Sequence, residues 1–135
     1  MSLKKVIVFA LILMIVGTVL ELVLLSHYET FLQLIPILCI GLIMINTVIL
    51  VFKRTHVIKT LFKVLLVITG LSGIYGAFLH LQANYEFALE LNPTANNWNL
   101  FLESLTGAFP ALAPLSIIVL ALIAYSYLIL INKKQ

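Results

Sequence analysis

Residues 31–63 read FLQLIPILCIGLIMINTVILVFKRTHVIKTLFK, and the order of residue types within them decides the fold. From Phe31 to Phe52 no side chain carries a charge; Lys53, Arg54, Lys59 and Lys63 then follow in close succession. A helix rising 1.5 Å per residue needs about 20 apolar residues to cross roughly 30 Å of hydrocarbon, and the first part of the stretch meets that length. In lipid only helices and closed barrels satisfy their own backbone groups, and the run lacks the alternating polarity of a barrel strand. The stretch therefore predicts a spanning helix followed by a cationic turn.

Working outward, the same pattern recurs. Spans are predicted at 6–26, 31–52, 57–81 and 110–131, with a longer polar break at 82–109. The fold class expected is all-α: an integral membrane four-helix bundle, one transmembrane domain over residues 1–135. Of the 135 residues 63% are hydrophobic and 10% charged, and the mean hydropathy is +1.19. Soluble domains are about half apolar and a quarter charged, so a water-soluble class is excluded. Lys4 and Lys5 ahead of an apolar run resemble a secretory signal, but the run is longer than a signal core and no small-x-small cleavage site follows it, so a retained signal-anchor helix is expected. The single cysteine, Cys39, lies within an apolar run and reads as a small packing residue.

Charge gives the orientation. All eight Lys/Arg residues fall in three places: Lys4 and Lys5 at the N-terminus, Lys53, Arg54, Lys59 and Lys63 around the second break, and Lys133 and Lys134 at the C-terminus. The five acids, Glu21, Glu29, Glu86, Glu90 and Glu103, lie at or near the opposite ends of the spans. Basic residues of short loops stay in the cytoplasm, which predicts an N-in/C-in arrangement. The net charge of +3 is then a topology signal, and no nucleic-acid partner is implied.

The outer break has structure of its own. Helix 3 is expected to extend past the bilayer until Asn92-Pro93 stops it. Asn97 then caps a short amphipathic helix in which Trp98, Phe101, Leu102 and Leu105 recur at helical spacing, ending near Gly107. That stripe suits an interfacial anchor with Trp98 at headgroup depth, or equally a cap over the mouth of the bundle. Pro110 and Pro114 are expected in the first turns of helix 4, where a missing N–H costs little.

Few residues could carry chemistry. Glu21 lies inside the outer end of helix 1, where an unpaired carboxylate is costly; it should face the bundle interior, be protonated, or meet His80 or Tyr28. His27 and His80 map to the outer side with Glu29, Glu86 and Glu90, and such a set could take a divalent metal, a haem or a quinol headgroup. No local ligand spacing preorganises a metal site, however, and Glu86 and Glu90 equally read as one solvated helix face. On helix 3, Gly70, Ser72, Gly73, Gly76 and Ala77 form a small-residue face for packing, first against a neighbour within the bundle and second against another copy of the chain. No phosphate loop, zinc-protease helix, nucleophile elbow or thiol pair is present.

The segment His80-Leu-Gln-Ala-Asn-Tyr-Glu-Phe-Ala-Leu-Glu-Leu-Asn-Pro93, with Trp98, Glu103 and the run Thr106-Gly-Ala-Phe-Pro-Ala-Leu-Ala-Pro114, resembles a group of small four-helix bacterial membrane proteins. Glu21, His27-Tyr28-Glu29 and Gln33-Leu34-Ile35-Pro36 share in the likeness. The group has no assigned activity, so the resemblance implies a bacterial inner membrane and no substrate. The first functional expectation is a non-catalytic accessory or scaffold component, surrounded by lipid and contacting other membrane proteins or a second copy, with no cofactor. Two alternatives stand beside it: a metal-, haem- or quinol-binding protein using the outer Glu/His cluster, and an oligomeric transporter or channel with Glu21 in its path.

Overall fold

The computed structural model describes residues 2–133; Lys134, counted among the C-terminal cations, lies outside them. The described residues form five helices and no strand: α1 Leu3–Leu24, α2 Phe31–Phe52, α3 His56–Leu91, α4 Asn97–Leu105 and α5 Leu115–Asn132. Four of them, α1, α2, α3 and α5, are long and apolar enough to cross a membrane. The molecule is a multi-pass membrane protein built as a helix bundle. At 1.5 Å per residue, the 22 residues of α1 and of α2 reach about 33 Å, whereas the 36 of α3 reach about 54 Å. α3 therefore outlasts the hydrocarbon layer.

Local chemistry sets the helix ends. α1 stops at Leu24, not at residue 26, because Ser26 takes a left-handed conformation (φ 52). His27 N–H then donates to Leu22 O at 2.8 Å and Ser26 N–H to Val23 O at 3.0 Å, the paired bonds of a Schellman stop. α2 starts with a capping box: Thr30 Oγ1 accepts from Gln33 N–H, and the Gln33 side chain accepts from Thr30 N–H. α3 runs on to Leu91 and ends where Pro93 disfavours helix at Asn92.

Two sequence expectations need correction. The cap of α4 is Asn96, whose side chain accepts from Asn99 N–H at 2.8 Å, while Asn97 is already helical. The last span does not become regular at residue 110; its helix starts at Leu115, with Pro114 as the cap residue. Pro110 and Pro114 thus precede the helix. The bonds Ala113 N–H to Pro110 O and Leu115 N–H to Leu112 O span three residues each, so the prolines are taken up in tight turns before α5 begins.

Packing is uneven along the bundle. α3 lies against α5, α2 and α4, and α1 against α5; α1 and α2, though consecutive, touch little. The contiguous core joins Leu11 and Ile15 of α1, Ile40, Ile43 and Leu50 of α2, Phe62 and Leu66 of α3, and Leu120 to Ile131 of α5. These residues occupy the half of the bundle nearer Lys53 and Arg54. Gly73 and Gly76 bring α3 onto the start of α5: a Cβ on Gly73 would lie 2.9 Å from Pro114 O, and one on Gly76 3.1 Å from Pro114 Cβ. Ala77 is buried beside them. Gly70 faces open space, and the Ser72 hydroxyl donates to Thr69 O at 2.8 Å.

The stripe on α4 points outward. Leu100 and Ser104 are its buried positions, whereas Trp98, Phe101, Leu102 and Leu105 are exposed. It is the opposite face that seats α4 on α3.

Candidate functional site: a cavity at the acidic end

Where the core ends, the helices part around an open cavity of about 810 Å³. Thr18, Glu21 and Leu22 of α1, Leu32, Ile35 and Pro36 of α2, and Ile68 to Ala83 along one face of α3 line it, with Phe109 to Ile117 closing the far side. Leu32, Leu71 and Tyr75 on its wall are also exposed at the molecular surface. In a spanning bundle that surface meets lipid. Pro36 contributes a local feature, since it has no N–H to give the Leu32 carbonyl one turn earlier.

Of the polar candidates, Glu21, His27 and His80 come together on this cavity. The Schellman stop and the capping box fix the connector on both sides of His27. The His27 and His80 rings meet edge-on with centroids 6.0 Å apart. Partial burial, and secondly the neighbouring His80, lower the pKa of His27 below its ordinary value of 6.5. His80 Nδ1 lies 3.1 Å from Pro110 O. A carbonyl oxygen only accepts, so Nδ1 carries the proton and, in the neutral ring, Nε2 is the acceptor left over.

The expected partnership of Glu21 with His80 or Tyr28 is not made. His80 bonds Pro110 instead, and the Glu21 carboxylate has no hydrogen-bond or ion-pair partner among the described residues. Tyr28 is exposed and off the cavity wall. Glu29 is exposed too, its backbone N–H donating to Gln33 Oε1 at 2.9 Å. Glu86 accepts from Gln82 Nε2 at 2.8 Å on the solvent side of α3, and Glu90 is exposed beyond it. No three His, Cys, Asp or Glu side chains among the described residues are grouped to hold a metal ion.

One organising residue escapes the sequence reading. Asn84 is 2% exposed; its Nδ2 donates to Ser104 O at 2.9 Å and to Phe109 O at 2.7 Å, and its Oδ1 accepts from Phe109 N–H at 3.0 Å. It clamps the segment that presents Pro110 O to His80. Gly107 is needed beside it, since a Cβ there would run into the Asn84 side chain. A signal does exist: Gly73, Ala77, Asn84 and Ala88 continue the buried face of α3 at helical spacing. An amide on that face must find partners.

Compared with known proteins, the chain matches no protein family, no curated protein and no solved structure.

Proposed function

We propose that the chain is a bacterial inner-membrane protein, with both termini cytoplasmic, that holds an amphiphilic small molecule drawn from the bilayer. One observation carries the reading: an open cavity of about 810 Å³ with mainly apolar walls, whose ionisable groups Glu21, His27 and His80 share it. Small-molecule sites typically enclose about 300–1,000 Å³, mostly apolar, with a few convergent polar groups. The orientation is supported by the confinement of Lys and Arg to alternate breaks, and the bacterial membrane by the resemblance described above.

The test is to extract the protein with its surrounding lipid and identify what stays with it through purification. One amphiphile is expected in near-equimolar amount, and Ser72→Phe, which places a ring in the cavity, should lose it while unfolding at the same temperature. Extracts of both proteins indistinguishable from bulk lipid would sink the reading. The outward-facing apolar stripe on α4 favours a second function, an accessory component that contacts another membrane protein. Affinity capture of the whole chain in mild detergent, returning the same partner repeatedly, is its test.

A further inference from the structure

Resting on the cavity reading, the first turns of α2 narrow the occupant. The capping box asks only for an acceptor from Gln33: its Oε1 takes the backbone N–H groups of Glu29 and Thr30, at 2.9 and 3.0 Å. Two backbone donors on one atom fix which end of the amide is the oxygen. Nε2 is the end turned away, and it makes no hydrogen bond among the described residues. Gln33 is half-buried on the cavity wall, so its amide N–H groups are donors left for the occupant. Glutamate would cap the helix equally well; the nitrogen is surplus to the cap.

The same turns supply an acceptor. Pro36 has no N–H for the Leu32 carbonyl, and both residues line the cavity. An amide N–H only donates and a carbonyl only accepts, whatever the pH. Glu21, His27 and His80 change role with protonation, and the hydroxyls of Thr18, Tyr75 and Ser116 rotate to suit either role, so none of these selects a head.

The matching head is uncharged, with an oxygen acceptor close to a hydroxyl. An ammonium head has no lone pair for Gln33 Nε2. A phosphate head would meet no Lys or Arg on the wall, and burial disfavours the cationic form of His27. An acylglycerol brings an ester carbonyl, a free hydroxyl and a tail that leaves past Leu71 and Tyr75, where the wall is exposed to lipid. We infer that the cavity takes an uncharged acylglycerol, whose ester carbonyl accepts from Gln33 Nε2 while a glycerol hydroxyl donates to Leu32 O.

The test is calorimetric titration of the whole detergent-solubilised chain with 1-decanoylglycerol, its ether analogue 1-decylglycerol, methyl decanoate, 1-decanoylglycerol 3-phosphate and decylamine. Decanoylglycerol is expected to bind about tenfold more tightly than the ether, which lacks the carbonyl. Gln33→Glu, which keeps the capping acceptor and removes the donor, should bring that ratio to about one at an unchanged melting temperature. Pro36→Ala, which gives Leu32 O an N–H, should weaken decanoylglycerol about threefold and leave methyl decanoate, which has no hydroxyl, as it was. Equal affinity for ester and ether, or a preference that survives Gln33→Glu, would overturn the role of Gln33. Equal weakening of decanoylglycerol and methyl decanoate by Pro36→Ala, or none, would overturn that of Leu32. Tighter binding of the phosphate or of decylamine would overturn the uncharged class while leaving the cavity reading intact. Binding that survives Ser72→Phe, or no binding of any probe, would remove the inference and the cavity reading together.

Discussion

Replacing Asn84 by alanine removes three hydrogen bonds, one buried and two part-buried, and strands the Phe109 N–H and the Ser104 and Phe109 carbonyls where segment 104–109 folds back on α3. A buried group left unpaired costs about 1–3 kcal/mol and a part-buried one less, so Asn84→Ala should lose about 2–3 kcal/mol in reversible unfolding from detergent. An unchanged midpoint would show that the clamp does not hold the fold. At His27 the effect follows pH. Its pKa in the folded chain lies below the ordinary 6.5, so unfolding takes up a proton in that window. Stability is therefore complete above the ordinary value and falls as pH drops through it toward the folded value. A melting temperature followed downward from about pH 8 should fall below about pH 6.5, and His27→Gln should flatten that decline. Glu21, His27 and His80 are legible in the sequence as polar groups at one depth. That they share one cavity is not legible, because helix rise fixes height and leaves the facing direction open.

The two glycines Gly70 and Gly73, on one helix, separate close packing from lipid exposure. A methyl group on Gly73 would press on the Pro114 carbonyl and on Ile118, whereas nothing lies within 4 Å of one on Gly70. Gly73→Ala should thus destabilise by about 1–3 kcal/mol, while Gly70→Ala should be neutral or slightly stabilising, since alanine restricts the unfolded chain. Equal effects in a paired unfolding measurement would contradict the seating of α3 on α5. The four apolar helices are legible from length and hydropathy alone, because lipid demands both. Their ends are less so. The start of α5 is hidden in a continuous apolar run, where Pro110 and Pro114 shape turns without changing hydropathy. The stop of α1 is a left-handed serine, a conformation usually left to glycine. The outward direction of the α4 stripe is illegible for another reason: periodicity marks two faces, and Leu100 with Ser104 turned out to be the one that packs.

For the molecule as a whole, reporter fusions after Phe52 and after Asn132 should report the cytoplasm, and one within residues 92–96 the opposite side. Fusions placing residues 52 and 132 on different sides would overturn the proposed orientation. The core residues Leu11, Ile43, Phe62, Leu120 and Leu128 gather in one half of the bundle, and the other half is divided by the cavity. Local opening begins where buried apolar contact is thinnest. Backbone amides around Leu22 and Ile35 should accordingly exchange their hydrogens sooner than those around Ile43 and Leu128. The four long helices thus share one packed end, while at the other α1 and α2 stay tethered by residues 25–30 and α3 by the Asn84 clamp around a hollow. A guest would therefore enter sideways from the lipid, past the exposed wall at Leu32, Leu71 and Tyr75, without parting the tethered helix ends or loosening the packed half.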